Sequence, residues 1–417
     1  MKTTRRAFVK TAGAGALGAC LAPRLARGQA PAVSAAQAYD VAVVGAGAFG
    51  SWCAYHLARA GRRVALLDAY GPGNARSSSG GQSRVIRMGY GDKELYTRWS
   101  LRSLEAWRGL LRRAGRSGLF QPAGVLWMAR EADPLTTRTL ATLERLGVQH
   151  ERLERPQLQS RWPQIDFGPT TWAIHEPDSG FLVAFHAVQA VVRVAKAQGV
   201  DYLQERVLPP VGDGPLASLA TASGRSVRAG AFVFACGPWL PKVFPDILGG
   251  RIFSTRQEVF YFGPPAGDPR FRTSALPVWV DFVEEIYGLP DFRGRGFKVA
   301  LDRHGPPFDP DIGERVITPE TLARVREFVG RRFPALKDAP LLGSEVCQYE
   351  NTSNGDFLID RHPARDNVWL VGGGSGHGFK HGPALGEYVA ARLVEGGPID
   401  ARFSLASKQK VQKREVY

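Results

Sequence analysis

Apolar residues fall in short blocks separated by glycine, proline and charge, and the clearest block stands in "YDVAVVGAGAFGSWCAYHLARAGRRVALLD". Residues 41–44 are uninterruptedly apolar, the pattern of a strand buried on both faces. Gly45, Gly47 and Gly50 break the run, a helical stretch follows, and residues 64–67 form a second apolar strand that ends at Asp68. The same plan returns in "DNVWLVGGGSGHGFKHGPALGEYVAARL": an apolar strand, a glycine-rich loop over residues 372–378, and a helix opened by Pro383, which the first turn tolerates. "AFVFACG" reads as another buried strand. No run approaches the ~18 apolar residues that a membrane-crossing helix needs. The last residues, "SKQKVQKREVY", read as a frayed polar tail.

The first 30 residues follow a different rule. "TTRRAFVK", "TAGAGALGACLA" and "PRLARGQA" give a basic region, a short apolar region and a small-residue cleavage zone. Arg5 and Arg6, followed by Phe8, Val9 and Lys10, resemble a twin-arginine export signal, which implies a periplasmic or secreted protein. The alternative reads "LGAC" as a lipoprotein processing box, with Cys20 as a lipid anchor. Removing the six basic residues of this segment lowers the formal charge from +15 to +9. The remaining basic residues are scattered, so no nucleic-acid groove is expected, whereas an anionic substrate is favoured.

Of four cysteines, Cys53, Cys236 and Cys347 remain after Cys20. An odd number at wide spacing makes a poor disulfide framework, and the absence of a CxxC pair argues against zinc. Cys53 falls within the first helix and reads as packing. Cys347 is open to several roles on this ground alone.

The glycine pattern carries chemistry. Gly45 permits a tight turn, Gly47 lets the backbone approach a pyrophosphate, and Gly50 allows close helix packing, with the helix N-terminus supplying amide donors. Asp68 stands where an acid accepts from an adenosine ribose hydroxyl. NAD and FAD both fit this unit. The second strand, loop and helix favour FAD, since a chain that returns to its cofactor can set a helix N-terminus against a reduced flavin. "GGSGH" is no nucleophile elbow, because His377 replaces its last glycine. His377 and His381 have a metal-pair spacing, but the surrounding glycines and Pro383 argue against one helix, and no metal is expected.

Taken together, "GQSRVIRMGYG", "SRWPQ", "EPDSGFL", "ACGPW", "IYGLPDFRGRGFK", "CQY" and "DFLIDRHP" make the chain from Tyr39 to about residue 400 resemble the monomeric sarcosine oxidase type of flavin amine oxidase, within the D-amino-acid oxidase superfamily. That resemblance implies an α/β fold: a Rossmann-type FAD-binding domain (residues 38–118, 180–248 and 355–405) interleaved with an α+β substrate domain (119–179 and 249–354) that contains a mixed antiparallel sheet. It implies a flavin bonded through its 8α-methyl to the sulfur of Cys347, two residues before Tyr349. By the same matching, Arg87 and Lys380 grip a substrate carboxylate, Arg84 lies beside the flavin ring, and Lys298 is the site of oxygen reduction. Tyr287 and Tyr349 border the substrate and His377 stands near the flavin's pyrimidine edge. Gly45, Gly47, Gly50, Asp68, Ser83, Gly374, Gly376, Gly378 and Lys380 are the implied cofactor contacts.

The implied reaction is oxidation of a secondary or N-methylated amino acid to an imine, with molecular oxygen reduced to hydrogen peroxide, by an enzyme expected to be a monomer. The alternatives are a dehydrogenase passing electrons to a quinone or carrier protein, which Lys298 disfavours, and a non-catalytic flavin- or amine-binding protein. Two departures bear on the substrate: Asp302, with His304 beyond it, replaces the family's histidine, and Gly374 replaces a bulky residue. They point to an amine larger than sarcosine, and to a cationic one.

Overall fold

The structure is a computed structural model and describes residues 39–412. Arg5, Arg6 and Cys20 lie outside the described residues. Strands Tyr39–Val44 and Val64–Leu67 are fully formed, and the turn between strand and helix depends on Gly45 at φ +104°. A Cβ on Gly50 would lie 1.9 Å from Gly45 O. Helix Ala48–Arg59 therefore leaves the strand end at a spacing that only glycine permits.

These strands belong to a seven-stranded sheet whose parallel core runs, in spatial order, Asp201–Leu203, Val64–Leu67, Tyr39–Val44, Ser226–Phe234 and Arg365–Gly372. Strand Leu358–His362 closes one edge antiparallel, and Ser218–Ala220 pairs off the path. The apolar runs 41–44, 64–67, 232–234 and 368–371 are almost fully buried, as strands covered on both faces require. Helices Ala48–Arg59, Glu94–Arg113, Ala184–Ala197 and Gly382–Val394 pack together, with Trp52 edge-on to Trp107 at 5.0 Å.

A mixed eight-stranded sheet runs Leu341–Asn351, Phe253–Phe262, Phe297–Leu301, Ile286–Leu289, Val278–Asp281, Val125–Ala129, Trp172–Glu176 and Glu151–Glu154. All pairings are antiparallel except Val278–Asp281 with Val125–Ala129. Side chains alternate across such strands. Phe260, Phe262, Phe297 and Val299 go to one face and pack with Trp279, Phe328 and Phe333 beneath helix Pro319–Arg332. Burying each of these rings stabilises by about 1.5–3 kcal/mol.

The other face takes the intervening positions, and the register decides who shares it. Tyr261 lies opposite Lys298, and Tyr287 opposite Ala300. On the edge strand, Glu345, Cys347 and Tyr349 lie opposite Val259, Gln257 and Thr255. Tyr287, Lys298, Cys347 and Tyr349, spread over 63 residues of sequence, thus project from one face. A small sheet of Arg84–Ile86, Gly180–Leu182 and Phe120–Gln121 brings Arg84 to meet them.

The expected frayed tail is corrected for its described part. Lys408 is fully buried, its Nζ donating to Arg402 O at 2.6 Å and Asn354 Oδ1 at 3.2 Å, and Gln409 N donates to Ser353 Oγ at 2.9 Å. The polar composition of the segment concealed this, because its contacts are to backbone and amide oxygens rather than to an apolar core.

Candidate active site

A cavity of about 360 Å³ crosses the carboxyl ends of the parallel strands, the usual ligand crevice of such sheets. Gly45, Gly47, Asp68, Arg84, Tyr349, Gly374, Gly376 and Gly378 all line it. Gly50, Ser83, Cys347 and Lys380 do not: Gly50 packs behind the turn, Ser83 faces Lys298, Cys347 stands behind Arg84, and Lys380 is turned to Tyr90. Ala48 N, in the first turn of its helix, donates to Ser79 Oγ at 2.9 Å. Asp68 Oδ2 accepts from Ala46 N at 2.7 Å, while Oδ1 accepts from Tyr70 N and Gly71 N at 2.8 Å each. Asp68 therefore braces the glycine turn as well as facing the cavity. Burial raises its carboxyl above the usual range against those three amides.

The walls fit FAD. Small residues and the first turn of helix Ala48–Arg59 face the space together with aromatic and cationic groups, and two buried wall atoms, Ser78 Oγ and Glu350 Oε2, lack partners within the protein. Such orphans are uncommon in a filled interior and are expected where a polar ligand completes the bonding. A Cβ on Gly374 would meet Glu350 Oε1 at 3.6 Å, Gly378 Cα at 3.8 Å and Phe49 Cζ at 3.9 Å. The room left by the missing side chain thus adjoins Glu350 and Phe49 in the cofactor wall.

At the inner end, Arg84 donates to Cys347 Sγ at 3.2 Å, to Ser83 O at 2.8 Å and to Ser78 O at 2.9 Å. Burial opposes its charge, but Cys347, Tyr287 and Glu345 outweigh that and hold its basicity above the ordinary value. Lys298 Nζ donates to Ser83 O at 3.0 Å and Ser83 Oγ at 3.3 Å. Burial first, and the adjacent Arg84 second, lower its pKa to about 7. Burial likewise raises the Tyr287 hydroxyl. Lys298 is thus a fixed ammonium that ionises near neutrality on the face shared with Cys347 and Tyr349.

A second cluster centres on Tyr90. Its hydroxyl receives a 2.6 Å bond from Lys380 Nζ and lies 2.8 Å from His381 Nε2 and 3.2 Å from His377 Nδ1. Lys380 Nζ also donates to His377 O at 2.9 Å. Burial, then the neighbouring Arg87, pushes Lys380 well below the usual lysine range; burial, then Lys380, does the same to both histidines. Arg87 donates to Gly89 O and stands over the rings of Tyr90 (4.4 Å), Trp127 (4.9 Å) and Phe282 (5.5 Å). Tyr349, in the cavity wall, donates its Oη to Asp302 Oδ1 at 3.2 Å, and the charge of Asp302 in turn favours the ammonium of Lys380.

Three residues in this arrangement escaped the sequence reading. Tyr90 lay inside "GQSRVIRMGYG" but carried no motif signal. Glu176 accepts from Met88 N (2.8 Å), Gly89 N (2.9 Å), Trp127 Nε1 (2.8 Å) and Ser179 Oγ (2.5 Å), and so fixes the backbone just after Arg87. Glu350 followed "CQY" directly. Among the described residues no group of three His, Cys, Asp or Glu is placed to hold a metal.

Residues 40–392 match the family described as FAD dependent oxidoreductase. The chain is 30% identical over 368 residues to monomeric sarcosine oxidase of Bacillus sp. (strain NS-129), covering 86% of this chain and 93% of that protein. It is 28% identical over 361 residues to N-methyl-L-tryptophan oxidase of Escherichia coli (strain K12 / DH10B), covering 84% and 94%. The crystal structure of L-proline dehydrogenase from P. horikoshii shares its fold at a TM-score of 0.74 and 22% identity, over 87% of this chain and 95% of that one. With the glycine cradle, the crossing of the parallel strand ends and this match in hand, the chain belongs to the FAD dependent oxidoreductase family.

Proposed function

We propose that this enzyme oxidises a secondary or N-methylated amino acid and hands the electrons to molecular oxygen, forming an imine and hydrogen peroxide. Bound FAD supplies the acceptor for the hydride equivalent and the route of two electrons to oxygen. The observation that carries the substrate class is Lys380: a buried ammonium whose two hydrogen-bonding acceptors are neutral, set beside the buried Arg87. Asp302 and Glu176 offset part of that charge, and an incoming carboxylate would add to the offset, as a charge-assisted clamp that orients a small zwitterion. Asp302, buried at the hydroxyl of Tyr349, offers a counter-charge for the substrate's ammonium. Lys298 supports the oxidase reading, because its cation stabilises charge as oxygen is reduced.

The remaining assignments are part of the same proposal. Residues 38–118, 180–248 and 355–405 serve as the FAD-binding domain, and 119–179 with 249–354 as the substrate domain. Cys347 carries the flavin through sulfur, supported by its place 3.2 Å from Arg84, which itself lines the cavity. Residues 1–30 direct export, supported by the Arg5–Arg6 pair ahead of a short apolar run. No described helix is long and apolar enough to cross a membrane.

Arg87→Ala and Lys380→Ala each remove one charged bond, worth about 1.5–3 kcal/mol, so affinity for an N-methyl amino acid falls by about one to two powers of ten. Stopped-flow reduction should show that penalty largely vanish for the matching amine without a carboxylate; an equal penalty on both would remove that residue from the clamp. Acid precipitation should leave the wild-type protein yellow and the Cys347→Ala protein colourless, and colour released equally from both would end the tether reading. Replacing Arg5 and Arg6 by Lys should retain the holoenzyme in the cytoplasm on cell fractionation; unchanged export contradicts the signal.

A further inference from the structure

Glu350 adjoins Tyr349 on the edge strand Leu341–Asn351 and is 6% exposed. Its Oε1 accepts from Gly374 N at 3.2 Å, whereas its Oε2 is buried and has no partner. The side chain lines the cofactor cavity. Burial raises its carboxyl to about 7, against the amides of Gly374 and Gly373. An interior carboxylate oxygen directed at a ligand space, with its other oxygen committed, is an acceptor awaiting a donor.

Its place along the crevice decides which donor. Crossing the strand ends in spatial order, the cavity passes Asp68 after Val64–Leu67, Gly47 after Tyr39–Val44, Gly237 after Ser226–Phe234, and Gly374 after Arg365–Gly372. A Cβ on Gly237 would lie 3.8 Å from Glu350 Oε2, and one on Gly372 3.5 Å from it. Glu350 therefore sits beyond the helix N-terminus that suits a diphosphate. It is also three residues, about 10 Å, along its strand from Cys347. A carboxylate repels a diphosphate, and the aromatic ring seat lies with Arg84, Cys347 and Tyr349. The stretch of FAD between diphosphate and ring is a polyol, whose hydroxyls are neutral donors.

We propose that Glu350 is a cofactor-binding residue: Oε2 accepts a hydrogen bond from a hydroxyl of the ribityl chain of FAD while Oε1 holds the backbone of Gly374. One side chain then couples the cofactor's linker to the loop that presents His377 and Lys380. This inference depends on FAD use, which the family establishes, and on no part of the substrate assignment.

The test titrates FAD, and its 2′-, 3′- and 4′-deoxyribityl analogues, into full-length protein carrying Cys347→Ala and freed of flavin, with binding read from flavin fluorescence. With Glu350 present, one of the three analogues should bind about ten- to hundredfold more weakly than FAD. Adding Glu350→Leu should weaken FAD by a similar factor and abolish the further penalty for that analogue, since both changes delete one bond. Equal penalties with and without Glu350 overturn the proposal, as does an absence of any penalty among the three analogues. If the Glu350→Leu protein does not fold, Glu350→Gln takes its place: its amide oxygen can still hold Gly374, and the analogue penalty should shrink about tenfold, whereas an unchanged penalty is again fatal. Flavin released from the unmutated protein by acid would remove the tether at Cys347 and leave this test intact.

Discussion

A lysine ammonium buried in a protein is held at several kcal/mol above its hydrated state unless an anion or strong acceptors meet it. Lys380 is buried between Tyr90 and the carbonyl of His377, where burial and the repulsion of Arg87 outweigh the attraction of Asp302 and Glu176. Much of the surrounding architecture serves to keep these two cations in place. Glu176 ties the backbone at Met88 and Gly89 to the indole of Trp127, and Trp107 donates to the carbonyl of Lys380 at 3.0 Å. Tyr90 gathers Lys380, His377 and His381 at one oxygen, and both histidines are held neutral by burial and by that same lysine. A carboxylate, as proposed for the substrate, would add to the attraction already supplied by Asp302 and Glu176.

The second organising constraint is the register of the eight-stranded sheet. Because side chains alternate, the aromatic residues that hold helix Pro319–Arg332 force the intervening positions to the opposite face. Lys298 and Tyr287 are carried there with Cys347 and Tyr349. Arg84 arrives from a separate small sheet and repels Lys298 while donating to Cys347. The same geometry that buries the core thus supplies an ammonium whose ionisation lies near neutrality, beside the inner end of the cofactor cavity.

Much of this was legible along the chain, for physical reasons. The glycines at 45, 47 and 50 and the buried runs around them are local necessities, so the strand, turn and helix follow from the residues themselves. The return at residues 372–378 has the same local logic, with Pro383 in the first turn of its helix as expected. Tyr90 and Glu176 were not legible, because their partners lie up to 291 and 88 residues away and neither residue has a spacing signature. Glu350 was hidden by alternation: it lies off the face shared by Cys347 and Tyr349, and it reaches the cavity only because its strand is the sheet edge. Lys408 escaped because a lysine in a polar tail reads as solvated until its carbonyl partners are seen.

The claim that Lys380 and Arg87 form a carboxylate seat has a direct thermodynamic signature. Burial and Arg87 hold Lys380 well below its ordinary pKa, so in the free enzyme it keeps its proton less readily than a solvated lysine. A bound carboxylate favours the ammonium and raises that pKa, so in a series of pH values that spans the free and bound titrations binding draws a proton from solution. Calorimetric titration of the flavin-loaded enzyme with a small substrate-like carboxylic acid, repeated in buffers of different ionisation enthalpy, measures that proton directly. The account predicts net proton uptake that disappears in Lys380→Met. Binding without uptake, or the same uptake in that variant, would contradict it.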